Sequence, residues 1–127
     1  MSQPSILLAD DSKTVRTLVG RALTYAGYNV ICASDGISAV QLAREHRPSL
    51  AVLDIVMPGL DGYAVCERLK AMGPPWEDLP IIFLTCVNSK ALELLGNAYG
   101  AYLRKPVQPD LLLAEIEKQI ALAIQDG

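Results

Sequence analysis

Short runs of apolar residues alternate along the chain with longer segments in which apolar residues recur at helical spacing. Most of the short runs lack a charged residue, which is typical of strands buried on both faces of a sheet. These runs predict five strands, at Ile6–Ala9, Val30–Ala33, Leu50–Leu53, Pro80–Thr85 and Ala101–Arg104.

The segments between the runs predict helices. In the first segment Ser12 is a candidate N-terminal cap and Gly27 a stop signal. One helical face between them carries Val15, Leu18, Val19, Ala22, Leu23 and Ala26. The dipeptide Asp35-Gly36 predicts a turn. Further helices are predicted from about Ser38 to His46 and from about Tyr63 to Met72. A fourth begins at Asn88 or Ser89, and a last helix has Pro109 in its first turn and core-facing residues up to Ala123.

Regular alternation of strands and helices indicates an α/β fold, a doubly wound parallel sheet with helices on both faces. Residues 1–127 contain no linker or low-complexity segment, so a single domain is expected. Trp76 lies in the irregular segment after the third helix and is predicted to anchor that loop by packing.

The composition narrows the classes of function. A net charge of −3 argues against direct nucleic-acid binding through a basic surface. The three cysteines form no CxxC pair and the chain has one histidine, so neither a disulfide framework nor a zinc site is expected. No signal peptide or membrane-spanning run is visible, so a cytoplasmic protein is expected.

Polar residues follow the predicted strands at the points where the strands end. Asp10 and Asp11 follow the first strand, Asp54 follows the third, Thr85 ends the fourth and Lys105 follows the fifth. Taken singly, each has an ordinary interpretation as a helix cap, a solvated loop residue, a strand residue or a surface lysine. Because the carboxyl ends of parallel strands share one edge of a sheet, we expect all five side chains to converge.

The chemistry of this set is coherent. Clustered carboxylates repel one another and hold a hard divalent cation, and Mg²⁺ prefers such oxygen ligands. One carboxylate can attack phosphorus to give an aspartyl phosphate. An ammonium group and a hydroxyl can then offset charge on the transferred group. The sequence therefore predicts phosphoryl chemistry at this edge of the sheet.

With these strand-end residues, the sequence resembles the receiver domains of response regulators, and in particular the single-domain chemotaxis regulators. The resemblance rests on four ordered motifs, which are Asp10-Asp11-Ser12, the segment Leu53–Gly62, Leu84-Thr85 and Lys105-Pro106. It covers nearly the whole chain. It implies a flavodoxin-like (βα)5 fold with strand order 2-1-3-4-5 and a role in two-component signalling.

The resemblance also implies roles for the site residues. Asp54 would be the phosphoacceptor, and Thr85 and Lys105 would contact the phosphoryl group. Mg²⁺ would be bound directly by Asp11, by Asp54 and by a main-chain carbonyl, with Asp10 acting mainly through water.

That carbonyl would belong to Val56. Thr85 and Tyr102 would form a switch pair; the alternative for Tyr102 is an ordinary buried aromatic residue of the last strand, but its position three residues before Lys105 favours the switch role. By the same resemblance, Val56 and Val87 would flank the path of an attacking water, and neither apolar side chain can orient it. We therefore expect the phosphorylated state to decay slowly.

The resemblance further implies partners. The phosphoryl group would come from a sensor histidine kinase or a phosphotransfer protein. The fourth helix, fifth strand and fifth helix would carry the signal to an effector or a fused output domain, with homodimerisation on phosphorylation as one outcome. The chain would catalyse only its own phosphorylation and dephosphorylation.

Two alternative functions belong to other classes of protein. A Mg²⁺-dependent phosphohydrolase would turn over small phosphomonoesters, but the chain shows no cap domain. A receiver-like interaction module without phosphoryl chemistry would fail to label at Asp54, but the acidic residues, Thr85 and Lys105 are all present.

Overall fold

The computed structural model describes residues 3–86 and 101–126, and β-strands alternate with helices from residue 5 to residue 85. The strands are β1 (Ser5–Ala9), β2 (Asn29–Ala33), β3 (Leu50–Asp54), β4 (Ile81–Thr85) and β5 (Ala101–Arg104). The helices are α1 (Lys13–Tyr25), α2 (Gly36–His46), α3 (Gly62–Ala71) and a C-terminal helix, Pro109–Asp126. The helix predicted from Asn88 or Ser89 lies outside the described residues.

The strands form one sheet in the order β2-β1-β3-β4-β5, and every neighbouring pair is parallel. This confirms the doubly wound, flavodoxin-like arrangement. Each strand begins and ends within one residue of the run that predicts it. The strand order reverses between β1 and β3, so the carboxyl ends of these two neighbours border the crevice where such sheets bind ligands.

Both faces of the sheet are covered, which explains why the strands are apolar on both sides. One face packs against α1 and the C-terminal helix, with a core of Ile6, Leu8, Val19, Leu23, Leu50, Val52, Ile82, Leu84, Leu112 and Ile116. The other face packs against α2 and α3, whose residues Ala39, Val40, Ala43, Val65, Cys66 and Leu69 are all buried. None of the helices within residues 3–86 and 101–126 is long and apolar enough to cross a bilayer.

The predicted apolar face of α1 is only partly buried. Val19 and Leu23 belong to the core, but Leu18 is 59% exposed. Ala26 is the C-terminal cap of α1 and is exposed. The periodicity identified the correct side of the helix, but the strip of α1 that contacts the sheet is narrower than the predicted apolar face. Leu18 therefore lies on the predicted apolar face but outside the core.

The helices begin at side chains that accept main-chain hydrogen bonds. Ser12 accepts from the Val15 N–H at 3.3 Å, which confirms its predicted role as a cap. Asp35 accepts from the Ser38 N–H at 2.8 Å, so α2 begins at Gly36 rather than at Ser38. The interpretation of Asp35-Gly36 as a turn was wrong, because the Asp35 side chain closes the first turn of the helix instead.

Gly36 is required by a close approach between two segments. A Cβ atom at this position would overlap the main chain of Leu60 in the loop before α3. Glycine therefore lets the start of α2 pack directly against that loop.

Trp76 fixes the loop between α3 and β4 against α2. Its Nε1 donates a hydrogen bond to the Ala43 carbonyl at 2.8 Å. The Arg47 guanidinium lies 5.7 Å from the centroid of the indole ring, within the range of a cation–π contact. The predicted packing role of Trp76 is confirmed.

Candidate functional site

Asp10, directly after β1, is held by three hydrogen bonds. Its side chain is fully buried, and Oδ1 accepts from the Ser12 N–H at 2.9 Å. The Asp10 N–H donates to the Ala33 carbonyl on β2 at 3.1 Å. The Asp10 carbonyl accepts from Arg16 Nη1 at 2.7 Å. These bonds leave the second carboxylate oxygen, Oδ2, facing the other residues of the site.

Lys105, directly after β5, contacts two of the acidic residues. Its Nζ lies 2.8 Å from Asp10 Oδ2 and 3.2 Å from Asp54 Oδ2. Its main-chain N–H donates to the Thr85 carbonyl at 2.7 Å, which ties the lysine to the end of β4. One ammonium group therefore neutralises part of the charge on two buried carboxylates.

Asp54 ends β3, and its environment disfavours the ionised form. Burial, followed by the charge of Asp10, raises the pKa of Asp54 from 3.8 to about 6, although Lys105 and the Val56 N–H act in the opposite direction. The negative charge of the carboxylates is thus only partly neutralised by Lys105, and the site favours an additional cation.

The pKa of Lys105 is raised as well. Burial by itself would lower this pKa, but contact with Asp10 and then with Asp54 outweighs burial. The lysine therefore stays charged at neutral pH.

Three carboxylates converge in a geometry that suits Mg²⁺. Asp10, Asp11 and Asp54 each offer one oxygen, and these oxygens all lie within 4.8 Å of one another. Asp10 Oδ2 is ion-paired with Lys105 and accepts no other hydrogen bond in the described part of the chain. Asp11 is exposed, so the cluster opens to solvent. Buried carboxylate oxygens beside a carboxylate that water can reach fit a cation that keeps part of its hydration shell.

Thr85 and Tyr102 share one face of the sheet. Thr85 is buried at the end of β4, two residues after Phe83, so their side chains point to the same face. Tyr102 is half-buried and packs against the core on that face. The Tyr63 ring lies there too, with its centroid 4.9 Å from that of Phe83.

Val56 lies beside the acidic cluster in an exposed position. The residue is 64% exposed, and its N–H donates a hydrogen bond to the Asp54 carboxylate. Val87, the second residue predicted to affect hydrolysis, lies outside the described residues.

Sequence reasoning missed Arg16, whose guanidinium holds the Asp10 carbonyl. The available signal was an arginine one turn inside the helix that follows the acidic pair. That signal is weak, because helix surfaces commonly carry arginine. Only the structure shows that this side chain folds back toward β1.

The fold and the site define a doubly wound α/β protein with an acidic pocket at the carboxyl edge of its sheet. A family model described as the response regulator receiver domain matches residues 6–117. The chain belongs to this family of two-component signalling modules, as the motifs predicted.

Named relatives agree with this assignment. The response regulator MprA of Mycobacterium leprae is 42% identical over 113 residues, covering 87% of this chain and 48% of that protein. The transcriptional regulatory protein AfsQ1 of Streptomyces coelicolor is 41% identical over 115 residues, covering 89% of this chain and 49% of that protein. The chain therefore spans about half the length of these curated relatives.

A solved structure gives the same result. The chemotaxis protein CheY4 of Vibrio cholerae superposes with a TM-score of 0.85 at 30% sequence identity. The match covers 93% of this chain and 99% of that chain.

Proposed function

We propose that the chain is a switch in which Asp54 accepts a phosphoryl group in a Mg²⁺-dependent reaction. The donor is a phosphohistidine on a sensor histidine kinase or a phosphotransfer protein. The observation that carries the proposal is the contact of Lys105 with both Asp10 and Asp54, beside a third carboxylate, at the reversal point of the sheet. This arrangement combines a nucleophile, a fixed positive charge and a cation-binding oxygen set.

In the transfer step an oxygen of the Asp54 carboxylate forms a bond to phosphorus. The bond from phosphorus to the donor imidazole breaks, and the imidazole keeps the electron pair and takes up a proton. Lys105 already contacts Asp54 Oδ2 at 3.2 Å, so its ammonium is placed to offset charge on the incoming group. The Thr85 hydroxyl donates to a phosphoryl oxygen.

The acidic residues provide the proposed Mg²⁺ site. Asp11, Asp54 and the main-chain carbonyl of Val56 would hold the ion directly, and Asp10 would act through water. When bound, Mg²⁺ supplies positive charge that neutralises the carboxylates and the phosphoryl oxygens.

Hydrolysis returns the switch to its first state. A water attacks phosphorus, the bond to the Asp54 oxygen breaks, and inorganic phosphate leaves. The exposed side chain of Val56 cannot hold or deprotonate this water. With Val87 as the second apolar neighbour, the phosphorylated state is long-lived.

The proposed output runs through Thr85 and Tyr102 to the face made by the fourth helix, β5 and the C-terminal helix. Phosphorylation adds about −1.5 to −2 charge and biases this two-state element. The signal passes to an effector or a fused output domain, with homodimerisation as one readout. We propose that residues 1–127 form one cytoplasmic domain that contacts neither nucleic acid nor membrane itself.

Intact-mass spectrometry tests the chemistry. We expect acetyl phosphate with Mg²⁺ to add one phosphoryl group, and EDTA or Asp54→Asn to abolish it. Sizing of the same samples reports dimerisation. Absence of labelling would favour the interaction module, and turnover of p-nitrophenyl phosphate would favour the phosphohydrolase.

A further inference from the structure

We infer that Arg16 is a positioning residue for the cation site, because it holds the Asp10–Asp11 segment by a main-chain carbonyl. The inference rests on the proposed Mg²⁺ site and adds a residue that touches neither the ion nor the phosphoryl group. It follows from how the pairing of β1 with β2 ends.

Asp10 lies one residue beyond β1, where the β-ladder runs out. Ala9 is opposite Ala33 in the register, and the Asp10 N–H continues the ladder by bonding the Ala33 carbonyl. In a parallel ladder the Asp10 carbonyl would next accept from the Asp35 N–H. However, β2 ends at Ala33 and Asp35 caps α2, and no main-chain N–H among the described residues bonds the Asp10 carbonyl.

Arg16 supplies the missing donor. Its Nη1 lies 2.7 Å from the Asp10 carbonyl oxygen, closer than the 3.1 Å of the last ladder bond. The donor is a guanidinium, so this is a charge-assisted hydrogen bond, which is stronger than a neutral one. It fixes the peptide plane between Asp10 and Asp11, and that plane sets the direction in which the Asp11 side chain leaves the backbone.

Asp11 depends on this restraint more than its neighbours do. Asp10 is held by Ser12 and approached by Lys105, and Asp54 is contacted by Lys105. Within residues 3–86 and 101–126, by contrast, the Asp11 carboxylate takes part in no hydrogen bond or ion pair, yet it lies within 4.8 Å of the other two. Its convergence with two like charges is therefore maintained by the backbone that Arg16 holds.

Three variants of the full chain test the inference. Arg16→Met keeps most of the apolar stem but removes the donor and the charge, whereas Arg16→Lys keeps a cationic donor. Arg21→Met is the matched control, because Arg21 is an exposed arginine on the same helix without a hydrogen bond or ion pair in the described chain. Urea unfolding of all variants checks that each is folded.

Calorimetric titration with Mg²⁺ is the first readout. We expect Arg16→Met to weaken binding by about 10-fold, as removal of an outer-shell partner of a metal ligand does. We expect Arg16→Lys to recover part of the loss, and Arg21→Met to bind like the wild type. Wild-type affinity in Arg16→Met, or equal losses in Arg16→Met and Arg16→Lys, would overturn the positioning role.

Amide hydrogen exchange in metal-free protein is the second readout. The Ser12 N–H donates to Asp10 Oδ1, so loss of the Arg16 restraint should speed exchange at Ser12 in Arg16→Met but not in Arg21→Met. Unchanged exchange would refute the inference. A wild-type chain that binds no Mg²⁺ would refute the proposed function instead, and the exchange result would still decide the role of Arg16.

Discussion

Asp54→Asn removes one of three crowded carboxylates and is expected to stabilise the metal-free protein. The pKa of Asp54 in the folded state is about 6, compared with an ordinary value of 3.8. At about 1.4 kcal/mol per pH unit, this difference of about two units corresponds to about 3 kcal/mol against the ionised form. This difference already includes the contact of Asp54 with Lys105, so we expect a gain of up to about 3 kcal/mol at neutral pH.

The same pKa fixes the sign of the pH dependence. A raised folded-state pKa means that the folded state binds the proton more tightly than the unfolded state. The stability from Asp54 is therefore fully present below pH 3.8 and is lost as the pH rises through about 6. The advantage of Asp54→Asn over the wild type should grow from about pH 4.5 to about pH 7.5 and then level off.

Urea unfolding in EDTA, followed by circular dichroism across this pH range, measures the effect. Asp78→Asn is the control, because Asp78 is exposed and distant in sequence from the site, and it should change stability by less than about 0.5 kcal/mol. Repeating the series with Mg²⁺ should narrow the stability difference between the variant and the wild type, since the proposed site would bind the ion more tightly in the wild type. A variant no more stable than the wild type, or a gain independent of pH, would refute the electrostatic reasoning.

Three further predictions concern other parts of the chain. Gly36→Ala should destabilise the folded protein by at least about 2 kcal/mol, because the new Cβ overlaps the facing loop. Gly20→Ala should stabilise it by up to about 1 kcal/mol, because a Cβ there meets nothing and alanine favours the helix. Urea unfolding of both variants compares the two effects. Trp76→Phe should cost about 1 kcal/mol, because the hydrogen bond to Ala43 is lost, and an unchanged unfolding midpoint would contradict this. Val56→Glu should speed loss of phosphate at least about tenfold, measured by intact mass after removal of the phosphodonor, and an unchanged lifetime would show that water is not oriented from this position.

The sheet was predictable because its signal is local. Runs such as Leu50–Leu53 are apolar on both faces, and the structure buries every residue of β3 and β4. Parallel strands also place their ends at one edge, so position in the chain was enough to predict that Asp10, Asp54 and Lys105 meet.

The start of α2 was not predictable in the same way. Asp35-Gly36 fits a turn and a helix cap equally well on local grounds, and the need for glycine there comes from the close approach of Leu60. Arg16 illustrates the same limit, since its partner is a carbonyl left free only because β2 stops at Ala33. Both features depend on contacts between segments distant in sequence.

The main-chain bond between Lys105 and Thr85 links the charge at the site to the face proposed for output. Lys105 faces two carboxylates on one side, while its N–H holds the end of β4 at 2.7 Å. A phosphoryl group on Asp54 would compete with the Asp10 carboxylate for the Lys105 ammonium. If Lys105 moved in response, its main chain would disturb the hydrogen bond to the Thr85 carbonyl. Tyr102 lies three residues before Lys105 on β5, on the same face of the sheet as the Thr85 side chain. In the proposed switch, a change of charge at Asp54 therefore has a short covalent and hydrogen-bonded route to Tyr102.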